Sequence, residues 1–434
     1  NGDNYYQDRL YLNEGNGIFS KNENTLPDMK FSGGVVKAAD YDKDGDLDLF
    51  VGGRISGGNY PMPPRSTLLK NESTETTVKF SVNRSYDLEQ VGMVTDAEWV
   101  DLDGDTWPDL VLTGEWMPVS IFKNNRGVLK NQTAEAGLQN SNGWWFSVEA
   151  GDFDNDGDID LFLGSRSVPW KYGLTPTSYL LENDGVGNFH IVTDDYNPQL
   201  ASVGMVTDAD WIDYDNDEDL DLIIVGEWMP VTIFQNNGTY LLDVTAKAGL
   251  GKSNGWWNCI LTDDINGDGY LDLVVGNLGK NSKIWASESE PATIYIGDFD
   301  HNGLTEQIIC YYKNGKSYPM VLRPELIKQI PMLKDQFPTH ADYAGKQITD
   351  IFTVDQLKNA ITKNAYIFAN SIFYGNETGT FRYQPLPAEA QFSPVYAIVS
   401  GDFNSDGWKD LLLGGNFYGV NPQRGRYDAS HGII

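Results

Sequence analysis

The chain has 434 residues, and its 62 Asp and Glu against 31 Lys and Arg give a formal net charge of −31. That balance argues against a nucleic-acid partner, because affinity for phosphate backbones comes from basic groups that displace counterions, and against docking on an anionic lipid surface. Apolar residues make up 40% and aromatic residues 12% of the chain, enough for a large core, while two Cys exclude a disulfide framework.

In chain order, the start at Asn1-Gly2-Asp3, with no Met and no leader-like apolar segment, reads as a piece trimmed from a longer protein. Residues 9–13 and 17–20 then form two strand-like pieces around a Gly turn. The first acidic nine-residue loop, Asp40–Asp48 (DYDKDGDLD), leads into the apolar run 47–52. Such runs of four to six residues predict strands covered on both faces. From Val91 a long repeat begins. VGMVTDAEWVDLDGDTWPDL, GEWMPV and SNGWW recur as VGMVTDADWIDYDNDEDLDL, GEWMPV and SNGWW, each 112 residues later, so that Trp116 corresponds to Trp228. Each long copy holds two acidic loops. Seven occur in all, and the last two intervals are irregular, at 34 and 104 residues between loop starts. No stretch reaches the roughly 18 apolar residues of a membrane span.

Four strand-like pieces per loop, each unit covered by its neighbours, is the logic of a β-propeller blade. The sequence therefore predicts an all-β fold: one seven-bladed β-propeller of four-stranded blades over residues 1–434. The strands within 9–20 complete the C-terminal blade, and the fifth blade is left short of an outermost strand. Blade six carries a small helical insert, 324–361, in which Leu326, Ile330, Leu333 and Phe337 are helically spaced and Pro331 breaks the helix.

The loops point to a cation. Three or four carboxylates within nine residues repel one another unless a positive ion lies among them. Positions 1, 3, 5 and 9 are always Asp, Asn or Glu. They are Asp40, Asp42, Asp44 and Asp48; Asp101, Asp103, Asp105 and Asp109; Asp152, Asp154, Asp156 and Asp160; Asp213, Asp215, Asp217 and Asp221; Asp264, Asn266, Asp268 and Asp272; Asp298, Asp300, Asn302 and Glu306; and Asp402, Asn404, Asp406 and Asp410. Hard oxygen donors at alternate positions, with Gly usually at position 6, suit several structural Ca²⁺ ions. Position 9 is expected to be the bidentate ligand. The absence of His and Cys from these positions disfavours Zn²⁺ and copper. Solvated turns are the bland alternative, since Asp, Asn and Gly all favour turns.

With these loops in place the chain resembles the FG-GAP or VCBS-type repeat proteins, whose calcium loops sit in propeller blades as in the integrin α head. More narrowly it is similar to the repeat region of bacterial ASPIC/UnbV-type proteins. The strings that carry the likeness are DGDLDLFVGG, RLYLNEGNGIF, GEWMPV, SNGWW, GDFDNDGDIDLFLG and GGNFYGVNPQ. The resemblance implies Ca²⁺ between the first two strands of blades. It also implies an extracellular or cell-surface location, outer-membrane-associated or secreted, with no membrane insertion by this segment.

Connections after the second strand belong on the face opposite the loops. They begin at Arg54, Glu115, Arg166, Glu227, Asn277 and Asn416, with Trp116 and Trp228 beside them. Inter-blade ion pairs and wedge-filling Trp are the structural reading of this face. The functional reading is a surface that receives a protein partner or a surface glycan. The four His (His190, His301, His340 and His431) lie near no nucleophile signature, so the sequence favours a non-catalytic binding or scaffolding propeller. A carbohydrate-active or carbohydrate-binding propeller using the Trp-rich face is the alternative.

Overall fold

An acidic turn between two apolar, β-branched runs closes an antiparallel pair, and all seven loops do so in one register. The ninth loop residue starts the second strand opposite the residue before the loop: Ala39 faces Asp48, Val100 faces Asp109, Gly151 faces Asp160, and Ile212 faces Asp221. Asp263 faces Asp272, Gly297 faces Glu306, and Gly401 faces Asp410. Each turn needs left-handed backbone at positions 4 and 6. Gly supplies position 6 in five loops, but Thr106 and Glu218 hold it at φ +73° in the second and fourth. His301 occupies the corresponding position 4, a turn role rather than a chemical one.

The computed structural model describes residues 6–420, 425–430 and 432–433. It is all-β, built from antiparallel sheets. The first sheet comprises Ser32–Ala39, Asp48–Ile55, Thr67–Asn71 and Phe80–Asn83. The second comprises Met93–Val100, Asp109–Met117, Ser120–Asn124 and Leu129–Asn131, and the third Gly143–Gly151, Asp160–Ser165, Tyr179–Asn183 and Phe189–Ile191. The fourth comprises Met205–Ile212, Asp221–Met229, Thr232–Asn236 and Leu241–Asp243. Their second strands are almost wholly buried, because each core lies between two successive sheets. Tyr41, Phe50 and Leu68 of the first meet Val94, Leu110 and Phe122 of the second, and Phe162 and Leu180 of the third meet Val206, Leu222 and Phe234 of the fourth. Sheets packed face to face in sequence order make a propeller-like arrangement.

Three expectations are corrected here. The fifth sheet does not lack an outer strand. Cys259–Asp263 and Asp272–Gly276 are followed across the sheet by Ser371–Tyr374 and Arg382–Pro385, with Leu273 opposite Phe373. The chain leaves this sheet after Gly276 and returns only at Ser371, and that excursion is the cause of the 34-residue interval. The sixth acidic loop accordingly does not open a blade in the succession. Its strands form an inserted sheet in the order Lys316–Pro319, Glu306–Lys313, Ala292–Gly297, Ile361–Ala365. Cys259–Asp263 packs directly against Val395–Gly401 of the last sheet, so the inserted sheet stands beside the succession of sheets and not within it. Lastly, among the described residues the N-terminal strands Leu10–Asn13 and Phe19–Asn22 pair with each other and not with the strands of the last sheet. They do lie beside the final loop, where the Gly17 amide and the Asn13 side chain donate to the Phe403 carbonyl (3.1 and 3.2 Å).

Helices fill the segment between Pro319 and Ile361. Arg323–Gln329 carries Pro324 in its first turn and ends at Ile330-Pro331, after which Leu333–Gln336 resumes. Leu326, Ile330, Leu333 and Phe337 pack on Phe299, Ile308 and Cys310, so this segment is the second layer of the inserted sheet. Both Cys are free and buried. No helix among the described residues is long and apolar enough to cross a membrane.

Candidate metal loops and the opposite face

Within each loop the carboxylates do different work. The first caps the turn: Asp152 accepts the amides of Asp156 and Gly157 at 3.1 and 3.0 Å, and Asp40 those of Asp44 and Gly45, both at 3.0 Å. The fifth accepts the amide of position 7, as Asp156 does from Asp158 at 2.9 Å. In the second to fifth loops the buried ninth residue ties its own loop to the end of the third strand. Asp160 accepts from Asn183 N at 2.8 Å and Phe153 N at 3.3 Å, and Asp221 from Asn236 N at 2.6 Å and Tyr214 N at 2.7 Å.

Carboxylate oxygens of positions 1, 3 and 9 converge in five loops, all within 4.8 Å of one another: Asp40, Asp42 and Asp48; Asp101, Asp103 and Asp109; Asp152, Asp154 and Asp160; Asp213, Asp215 and Asp221; and Asp298, Asp300 and Glu306. The position-5 residues Asp44, Asp105, Asp156 and Asp217 stand outside these trios on the exposed turn. In the fifth and seventh loops Asn266 and Asn404 replace the middle carboxylate, and each donates to the next Asp (Asp268 at 2.9 Å, Asp406 at 3.1 Å).

A cation fits the trios. Asp42 Oδ1, Asp48 Oδ2 and Asp300 Oδ1 are buried with no hydrogen-bond partner, a costly state for carboxylate oxygens that a metal would relieve. Lysines already reach in where they can: Lys70 pairs with Asp42 and Asp44, and Lys123 with Asp103. Burial pushes Asp48 and Asp109 up to about 6, and Asp160 and Asp221 up to about 7. Asp272 and Glu306 are raised for the same reason.

Two sets of residues that sequence reasoning missed lock neighbouring units together. An Asn ending the third strand sends its amide to the second residue of the preceding unit's loop: Asn124 to the Tyr41 carbonyl, Asn183 to Leu102 and Asn236 to Phe153, at 2.8, 2.9 and 2.6 Å. The signal was the recurrent Asn in LLKN, IFKNN, LLEND and IFQNN. On the first strands, Asp96 accepts from Val148 N and Asp208 from Ile260 N (3.0 and 2.9 Å), joining second to third and fourth to fifth sheets. Burial raises both carboxyls, Asp208 to about 7.

On the opposite face the alternating Arg and Glu are ion pairs between sheets. Arg54 Nη2 lies 2.5 Å from Glu115 Oε1, and Arg166 Nη2 lies 2.5 Å from Glu227 Oε1. Tyr60 and Tyr172 donate to the second oxygens of Glu115 and Glu227, and the indoles of Trp116 and Trp228 donate to those tyrosines at 2.7 and 3.0 Å. Asn277 is buried in the fifth sheet, donating to the Ile367 carbonyl, and Asn416 exchanges hydrogen bonds with Ser430. Among the described residues no His joins these constellations, and His431 lies outside them.

Two solved structures are distantly similar. One is an Agrocybe aegerita lectin described as recognising non-reducing terminal N-acetylglucosamine: 14% identity, TM-score 0.40, 84% of this chain and 81% of that one. The other is the V. cholerae biofilm matrix protein Bap1: 13% identity, TM-score 0.38, 88% of this chain and 76% of that one. Both scores are too low to carry a functional argument. No curated protein matches the sequence. The FG-GAP-like repeat family matches at residues 2–51, 101–163 and 213–275, segments that contain the first five acidic loops. Those three segments of the chain are FG-GAP-like repeats, and they carry four of the five carboxylate trios.

Proposed function

We propose that this chain is a calcium-stabilised, non-catalytic β-propeller that acts outside the cell as a binding or scaffolding module. The observation that carries the reading is the repeated trio: three carboxylates at positions 1, 3 and 9, converging within 4.8 Å in five loops. All donors are hard oxygens without His or Cys, the chemistry of Ca²⁺ rather than of Zn²⁺ or copper. Exposed loops whose oxygens are partly satisfied by backbone amides suit weak sites, in the roughly 10⁻⁴–10⁻³ M range typical of extracellular calcium modules. The N-terminal hairpin supports a closed ring, since Leu10 packs with Val51 and Leu69 of the first sheet while Phe19 meets Phe403 of the last, 5.9 Å between ring centroids.

When bound, calcium would supply charge neutralisation inside each trio. The chain's own part is to hold the ninth carboxylate between its own loop and the end of the third strand, so that a filled loop pins the sheet it opens. The test is thermal unfolding with excess calcium and with EGTA, alongside elemental analysis of the purified protein. A large drop in melting temperature on chelation is expected, since a ligand at 100 times its Kd stabilises by about 2.7 kcal/mol per site. An unchanged melting temperature with no bound metal would refute the proposal.

A further inference from the structure

The 112-residue repeat places the same aromatic surface at two points on the face opposite the loops. Tyr60, Trp116 and Trp144 correspond to Tyr172, Trp228 and Trp256 without a gap. The two copies are built alike. In each, Tyr bridges Glu to the first Trp, and the two indoles meet edge to face, at 5.3 Å for Trp116–Trp144 and 5.0 Å for Trp228–Trp256. Both first tryptophans even share the left-handed backbone, φ +59° and +62°.

Their surroundings differ. The second copy is covered by the chain's own excursion out of the fifth sheet. Phe368 stands edge-on to Trp256 at 4.9 Å, Tyr366 N and Ile367 N both donate to the Asn254 carbonyl, and Ile367 bridges Gly255 in parallel. Trp228 is left 3% exposed. In the first copy Trp116 is 46% exposed, and Tyr60 and Met62 are open beside it. Asn142, the counterpart of Asn254, is exposed, and no donor meets its carbonyl among the described residues. The Glu-Tyr-Trp-Trp cluster and the Asn-Gly edge of the receiving surface are therefore present in the first copy without the segment that lies on them, while Ser165 stands where Asn277 donates to the Ile367 carbonyl.

We propose that the Trp116 surface receives an extended segment of a partner protein, carrying an aromatic side chain, that docks along Asn142-Gly143 as residues 366–369 dock along Asn254-Gly255. The occupant is read from the second copy: backbone amides that donate to the Asn carbonyl, and a ring that meets the edge of Trp144. Pro61 stands where Gly173 admits Ile296 of the inserted sheet, so the partner supplies the short strand alone and not a sheet behind it. Aromatic anchors in a partly preformed pocket are the usual source of such binding. The inference gives a partner class to the binding role proposed above and rests on that reading.

The probe is the capped peptide of residues 364–370, Asn-Ala-Tyr-Ile-Phe-Ala-Asn, titrated into the full chain carrying ¹⁵N-labelled indoles. The expected result is a saturable shift of the Trp116 and Trp144 indole resonances, weakened at least tenfold when the peptide's Phe is Ala. The shift at Trp144 should be lost in Trp116→Asn, which tolerates the left-handed backbone, and in Tyr60→Ala. No shift up to about 5 mM peptide, a shift indifferent to the Phe, or one that survives both variants overturns the proposal. So does a shift produced by N-acetylglucosamine and not by the peptide, which would make the surface a glycan site. Calcium content measured on the same sample separates the two readings: peptide binding by metal-free protein sinks calcium stabilisation alone, and a calcium-loaded protein blind to the peptide sinks this proposal alone.

Discussion

Asp160 holds two backbone amides, one in its own loop and one at the end of the third strand, whereas Asp156 holds one on an exposed turn. Asp160→Ala leaves Phe153 N and Asn183 N buried without acceptors, so urea unfolding of the metal-free protein is expected to show a loss of roughly 2–4 kcal/mol. Asp156→Ala should change that stability by less than about 0.5 kcal/mol. Protons act on the same braces. Asp48 and Asp109 at about 6, and Asp160 and Asp221 at about 7, lie above the ordinary carboxylate range because burial penalises their charge. The folded metal-free protein thus binds more protons than the unfolded chain between about pH 4 and 7, and its stability falls as pH rises through that window. Urea midpoints in EDTA are expected to be higher at pH 5 than at pH 7.5, with the order reversed in excess calcium, which binds the ionised carboxylates. The loop positions were legible because ligand-type residues recur in phase. The brace at position 9 was not, since its partners are backbone amides that leave no residue signature.

Between elements, the ties run from one unit to the next. Asn236 donates to Phe153 of the preceding loop and to Leu220 of its own, so Asn236→Ala should cost about 1–3 kcal/mol by chemical denaturation. The strand pairs around each loop could be read from sequence, as apolar runs broken by Asp and Gly. Which third strand completes a sheet could not: Ser371–Tyr374 is as apolar as Ile308–Cys310, and nothing in the composition of either says that the first belongs beside Leu273. The helical segment shows the same limit. Its apolar spacing predicted helices, but not that Phe299, Ile308 and Cys310 lie under them. Replacing 323–359 with a short Gly-Ser linker is therefore expected to expose that core and produce dye-binding, partly unfolded protein rather than an intact propeller, measured by ANS fluorescence.

For the molecule as a whole, repetition made the propeller-like all-β architecture readable. The misplaced sixth unit came from treating every acidic loop as the start of a blade. A loop certifies one hairpin only. Where that hairpin sits is settled by packing, and here the first strand of the fifth sheet meets that of the sixth and leaves no gap for another.

The detour after Gly276 has a consequence for how the protein is made. Leu273, Val274 and Val275 emerge from the ribosome with their pairing partner, Ser371–Tyr374, still about 100 residues away. At 5–20 residues per second that strand edge stays bare for about 5–20 s, long enough to recruit another nascent chain. The intervening sheet and its helical layer have a core of their own, from Phe299 to Phe352. By folding first they would bring the two ends of the detour together and shorten the loop that the fifth sheet must close.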